Sequence, residues 1–172
     1  AIEKTKKVQQ NNTDRKTIDK DITDEAFAMI DNNETLIHKK TTVLYQEHWH
    51  KGVVGIVASR MIEKYYRPTI ILASSNGKAV GSGRSVPGFD LYDAIDSCSE
   101  HLVQFGGHKY AAGLTIELDK IQDFSDAFEK IVRDRITADQ QIPQVEIDAE
   151  IELTDINDKF FNILEQMQPF GP

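Results

Sequence analysis

Gly81-Ser82-Gly83-Arg84-Ser85 puts two hydroxyls and a guanidinium on a backbone with almost no side-chain bulk. That combination suits an oxyanion. Where glycine removes the Cβ, backbone amides can approach an anion closely, and the planar arginine fork supplies paired, charge-assisted donors to phosphate oxygens. In an extended strand Ser82 and Arg84 fall on one face. The same residues also fit a glycine-weakened edge strand with an exposed arginine, and spacing alone leaves both readings open.

A second group, Gly106-Gly107-His108-Lys109-Tyr110-Ala111-Ala112-Gly113, joins two glycines, a histidine and small residues that let a ligand come close. His108 can hydrogen-bond a phosphate, or pair with it when protonated, near neutral pH. The alternative is that Gly106 or Gly107 caps a helix and His108 is an ordinary core histidine. His48-Trp49-His50 sets two imidazoles on one side of a strand, a spacing that can bind zinc or manganese but lacks a third ligand. Trp49 reads as a core residue or as a stacking platform for an unpaired base. No Walker loop, nucleophile elbow or dinucleotide fingerprint is present.

The chain has 172 residues, 40% hydrophobic and 28% charged, which suits one ordinary domain with appendages. Its longest apolar runs, Val53–Ala58 and Thr69–Ala73, are too short to span a bilayer, so a soluble protein with no membrane partner is expected. The opening Ala1-Ile2-Glu3-Lys4 shows no signal peptide and reads as the start of a piece of a longer chain. A single cysteine, Cys98, excludes an internal disulfide and a multi-cysteine zinc site and fits a reducing, cytoplasmic setting. The net charge of −8 argues against a nucleic-acid partner, but it is unevenly spread. Residues 39–109 hold nine Lys/Arg against six Asp/Glu, a net of +3, which leaves −11 for the rest.

The elements that must carry these residues read as α/β. A polar start, residues 1–12, is expected to fray, and Ile18, Ile22, Ala26, Met29 and Ile30 then give a helix from Thr13 to Ile30 with one narrow apolar stripe. Thr41–Tyr45 predicts a strand, Val53–Tyr65 a helix and Thr69–Ala73 a buried strand, which is a β-α-β unit. Ser74-Ser75-Asn76-Gly77 predicts a hairpin turn into a strand over Lys78–Ser85. Asp90 caps a helix that runs through Leu91, Ala94, Ile95, Cys98, Leu102 and Val103 and stops at Gly106-Gly107. A strand over Leu114–Leu118 and a helix from Ile121 to Ile136 follow. Beyond Pro143, alternation from Val145 to Leu153 predicts a half-buried strand, then a helix from Asp155 to Met167 and a last segment, 168–172, that looks cut inside a further element.

Three stretches in order, His50-Lys51-Gly52-Val53-Val54-Gly55-Ile56-Val57-Ala58, Gly81–Ser85 and Gly106–Gly113, resemble the RecJ-type single-stranded-DNA-specific exonucleases. The glycine-glycine-histidine element with its Ala-Ala-Gly tail is shared across DHH-associated domains, and the first stretch separates the RecJ type. The tail from Val145 to Glu150 and on to Gln168–Pro172 is similar to that family's entry into an OB-fold region. The resemblance implies a mixed β-sheet flanked by helices, with residues 1–40 a polar start and connector helix, 41–137 a DHH-associated substrate-binding domain and 138–172 the start of the OB-fold region. It implies a parent enzyme whose Mn or Mg ions sit in an N-terminal catalytic domain, joined in cis through the helix. The Asp-His-His motif of that domain is not in this sequence, so the piece alone is expected to be inactive. By the same resemblance Ser82 and Arg84 match positions that hold the 5′ phosphate of single-stranded DNA, and His108 matches the residue that faces the scissile phosphate. Ser85, Gly106, Gly107 and His50 join them as substrate-contacting positions. An oligonucleotide or cyclic-dinucleotide phosphodiesterase, or a nonspecific nucleic-acid or protein-binding module, would share parts of the pattern.

Overall fold

A computed structural model describes the backbone of residues 2–145 and 147–170, and the side chains of these except 2–11 and 14. Five strands form one mixed sheet: β1 (Thr42–Gln46), β2 (Thr69–Ser75), β3 (Lys78–Arg84), β4 (Leu102–His108) and β5 (Ala111–Ile116). Their order is β1-β2-β3-β5-β4, with β1 parallel to β2 and every other pair antiparallel. The helices are α1 (Ile2–Asp31), α2 (Glu34–Ile37), α3 (Val54–Tyr65), α4 (Leu91–Asp96), α5 (Ile121–Arg135) and α6 (Asp158–Gln166). The α/β class and the mixed sheet with flanking helices are as expected.

β2 is covered on both faces, which is why its sequence is a continuous apolar run rather than an alternating one. On one side Ile71 and Ala73 join Leu44, Trp49, Val54, Val57 and Met61 with the α1 stripe Ile22, Ala26 and Ile30. On the other, Ile70 and Leu72 join Leu91, Ala94, Ile95, Phe124, Phe128 and Val132 of α4 and α5. At the β2–β3 hairpin Asn76 and Gly77 both have positive φ, 52° and 76°, the pair of left-handed residues that a two-residue turn with the sheet's twist requires.

Four expectations need correction. α1 begins at Ile2 rather than Thr13: the polar start has no proline or glycine, and its Lys, Glu and Gln residues extend a helix once the downstream turns are formed. The helix capped by Asp90, whose carboxylate accepts the Asp93 N–H at 3.0 Å, ends at Asp96. After a 3₁₀ turn, Ser99–His101, the chain enters β4, so Gly106 and Gly107 are strand residues and not a helix cap. Leu102 continued the helical spacing by coincidence, and the ladder with β5 takes over from there. The described residues of 145–153 form no strand: Val145, Ile147 and Leu153 are about four-fifths exposed, and alternation without a neighbouring strand gives no ladder. Glu146 of that stretch, and Gly171 and Pro172 of the last segment, lie outside the described residues. Finally, α6 starts at Asp158, capped by the Asn157 side chain, rather than at Asp155.

Candidate functional site

The β2–β3 register sets Ser82 opposite Ile71 and Arg84 opposite Thr69, so both side chains stand on the face of the sheet that carries α3. Arg84 folds back along its own strand. Its Nη1 donates to Ser82 Oγ at 2.7 Å and to the Gly83 carbonyl at 2.8 Å. Directly above lies the first turn of α3. A Cβ placed on Gly55 would come within 2.9 Å of Arg84 Nη2 and 3.2 Å of Ser82 Oγ, so any side chain there would push the guanidinium from this position.

α3 opens on Val53, with no side-chain cap and no acid in its first turn. The positive end of its dipole and its first free N–H groups therefore remain uncompensated beside Arg84 and Ser82. Lys51, Val54, Gly55, Val80, Gly81 and Ser82 line a shallow hollow of about 290 Å³ here. A larger hollow, about 900 Å³, opens between α1 and α3, but three of its cations are already committed. Lys20 pairs with Asp24, Arg60 with Asp19 and Lys64 with Asp31. The glycine-rich backbone, Ser82 and the start of α3 line the smaller hollow and not the larger, so the smaller is the better anion site.

β5 carries the row across the sheet. Ala111 pairs with Arg84 on one side and His108 on the other, so Arg84, Ala111 and His108 stand in one line on one face, with the two outer strands roughly 10 Å apart. The neighbouring row is Ser82, Gly113 and Gly106. Between the arginine and the histidine the sheet thus presents a floor of alanine and glycine that no helix covers. A Cβ on Gly106 would meet nothing within 4 Å. Gly107 differs: with φ at 150°, a Cβ there would lie 2.2 Å from the Ala111 carbonyl oxygen, so this glycine is required by the hairpin itself.

His108 Nδ1 accepts the Tyr110 N–H at 3.3 Å, and His50 Nδ1 accepts the Gly52 N–H at 3.1 Å. In a neutral ring the proton then sits on Nε2, and each imidazole presents a donor outward. Of the residues picked out by sequence, Ser82, Arg84, Gly106 and His108 are brought onto one face. Gly107 points to the other face. Ser85 lies past the end of β3, where its hydroxyl donates to the Phe89 carbonyl at 2.9 Å and its N–H to the Tyr110 carbonyl at 3.1 Å, so it ties loops together instead of joining the row.

His48 and His50 do not line one side of a strand, because β1 stops at Gln46 and a turn follows. His48 Nε2 lies 2.9 Å from Glu25 Oε2, and the buried Trp49 donates its Nε1–H to the same oxygen at 2.8 Å. Burial raises the Glu25 pKa, but the hydrogen bonds of Trp49 and His48 outweigh it and hold the carboxyl below the ordinary glutamate range. Lys51 and Gly55 were not singled out by sequence as site residues. Both lie inside the His50–Ala58 stretch, and nothing local indicates that this helix start comes to rest on Arg84.

The DHHA1 domain family matches residues 38–134. The single-stranded-DNA-specific exonuclease RecJ of Bacillus subtilis is 32% identical over 173 residues, covering 99% of this chain and 22% of that protein. RecJ of Dickeya dadantii is 37% identical over 133 residues, covering 74% and 23%. The chain therefore spans less than a quarter of the length of these relatives. The crystal structure of RecJ in complex with Mn²⁺ from Thermus thermophilus superposes with a TM-score of 0.78 over 96% of this chain and 24% of that one, at 24% identity. A crystal structure of exonuclease RecJ bound to manganese gives a TM-score of 0.65 at 27% identity, over 76% of this chain and 31% of that one.

Proposed function

The chain belongs to the DHHA1 domain family, and on that footing we propose that it is the substrate-gripping part of a single-strand-specific 5′-to-3′ DNA exonuclease of the RecJ type. The observation that carries this reading is the row on the open sheet face: Arg84 and Ser82 beneath an uncapped helix start at one end, His108 at the other, and only alanine and glycine between. A 5′-terminal phosphate bears more charge than a bridging one, so a pocket of guanidinium, hydroxyl and helix amides favours the strand end over internal positions. His108 Nε2 donates to an oxygen of the next phosphate, the one to be cut. Glycine and alanine let the sugar-phosphate backbone lie flat between the two.

The metal ions and the hydrolytic water belong to a catalytic domain outside this chain, for which Mn²⁺ or Mg²⁺ is the expected ion. Among the described residues no group of three or more His, Cys, Asp or Glu side chains could hold a metal ion. In this reading residues 1–40 are the connector, 41–137 the gripping domain and 138–172 the lead into an OB-fold region, all in a cytoplasmic protein. No described helix is long and apolar enough to cross a membrane.

The test is a titration of this chain with 5′-phosphorylated and 5′-hydroxyl single-stranded oligodeoxynucleotides of one sequence. Binding should favour the phosphorylated end, and Arg84→Ala should remove roughly tenfold of that preference. Equal affinity for both ends, with a steep salt dependence, would instead identify a nonspecific nucleic-acid surface.

A further inference from the structure

We propose that Glu25 of α1 is a positioning residue for the phosphate pocket, and that through it the helix leading into the domain governs the pocket's grip on a 5′ phosphate. The proposal rests on the functional reading above. The loop from Glu47 to Val53 delivers one wall of the pocket: Lys51 lies in it, and Val54 and Gly55 at the start of α3 follow it directly. The loop's backbone–backbone bonds are the Trp49 N–H to the Gln46 carbonyl at 3.4 Å and the Val53 N–H to the His50 carbonyl at 3.1 Å. Beyond these, the Gly52 N–H donates to His50 Nδ1 at 3.1 Å, Lys51 Nζ to the Ser75 hydroxyl at 3.2 Å, and Val53 is buried. The loop's tie to α1 is Trp49, 2% exposed and packed among α1 and α3 residues, together with one carboxylate oxygen of Glu25.

That oxygen, Oε2, receives both Trp49 Nε1–H at 2.8 Å and His48 Nε2 at 2.9 Å. Two consecutive loop side chains are thereby pinned to a single atom on α1. The indole is rigid and buried, so displacing Glu25 must shift either the ring or the backbone that carries it. That backbone runs into Val53 and Gly55, and a Cβ placed on Gly55 would come within 2.9 Å of Arg84 Nη2 and 3.2 Å of Ser82 Oγ. A displacement of about 1 Å at the helix start is enough to misalign its amides with a phosphate held by Arg84.

The other ties between α1 and α3 do not touch this loop. Asp31 accepts from Lys64 Nζ at 2.6 Å and from the Tyr65 hydroxyl at 2.7 Å, at the far end of α3. It holds helix to helix with the same number of bonds, and so serves as the control. Arg60 of α3 also donates to Asp19 at 2.7 Å, so α1 holds the domain through several polar ties, of which the Glu25 contact is the one that reaches the Glu47–Val53 loop.

The experiment measures, on the whole chain, the ratio of affinities for 5′-phosphorylated and 5′-hydroxyl single-stranded oligodeoxynucleotides, together with the melting temperature. Glu25→Ala should cut the ratio about fivefold or more, and Glu25→Gln, whose amide oxygen can still accept from Trp49 and His48, should restore most of it. Asp31→Ala should lower the melting temperature yet leave the ratio as in the wild type. An unchanged ratio in Glu25→Ala, or an equal fall in Asp31→Ala, overturns the proposal. A wild-type chain that shows no preference for the phosphorylated end overturns the functional reading instead, before any variant is compared.

Discussion

Gly106 and Gly107 are adjacent, chemically identical and opposite in role. Gly106 faces open space on the candidate floor, whereas Gly107 presses against the Ala111 carbonyl with a φ that side chains avoid. Gly106→Val should leave the melting temperature within about 2 °C of wild type and abolish oligonucleotide binding, because it raises two methyls where a strand would lie. Gly107→Ala should instead lower stability by about 1–3 kcal/mol in urea denaturation. Glu25 carries one pH dependence. A carboxylate held below its ordinary value of 4.5 contributes stability above that value and loses it as pH falls through its folded pKa. The melting-temperature gap between wild type and Glu25→Gln should accordingly be fully present at neutral pH and shrink as the buffer is taken well below 4.5. Cys98 is buried, and desolvation pushes its thiol up to about 11, so iodoacetamide at pH 8 should label the chain only after unfolding. Sequence showed a lone cysteine and two glycines; burial and φ, which come from the packing around them, assign their roles.

Among the elements, α5 does more than cover the sheet. Glu129, 8% exposed, accepts the N–H groups of Lys40 and Thr41 at 3.0 and 2.9 Å, the Thr41 hydroxyl at 2.6 Å, and Arg133 Nε at 2.6 Å. One carboxylate thus fastens the approach to β1 onto a helix nearly ninety residues later in the chain. Glu129→Ala leaves those donors without their acceptor and should cost about 2–4 kcal/mol, read from the midpoint of urea unfolding. No local signal marks this glutamate, which sits on a helix with ordinary i,i+4 charge spacing. The hairpin of β2 and β3 was legible because Asn-Gly specifies its own turn. β4 was not: Leu91, Ala94 and Ile95 form a true helical stripe that Cys98 and Leu102 continue in spacing alone, and only pairing with β5 reveals that Leu102 belongs to a strand.

At the scale of the whole chain, one α/β body ends near Arg135, and the acidic, apolar-studded tail beyond it contributes little to the core. No residue of α6 is buried. Deleting residues 143–172 should therefore leave the melting temperature of the remainder within about 2 °C. A clean preparation of this chain, given Mn²⁺ and 5′-phosphorylated single-stranded DNA, should release no nucleotides in a gel assay, the outcome that the proposed division of labour requires. The residue order by itself determined what is encoded locally: the β-α-β unit, the Asn-Gly turn, the Asp90 cap, and small and basic residues whose spacing suits phosphate. Tertiary structure decided what depends on distant neighbours. Arg84 and His108 share a face because β5 inserts between their strands, and Gly55 roofs the arginine because α3 packs across β3. The alternation after Pro143 lacks the partner strand that would make it a ladder. Strand order and helix docking are set by the burial of both sheet faces, a property of the assembled core that no window of sequence contains.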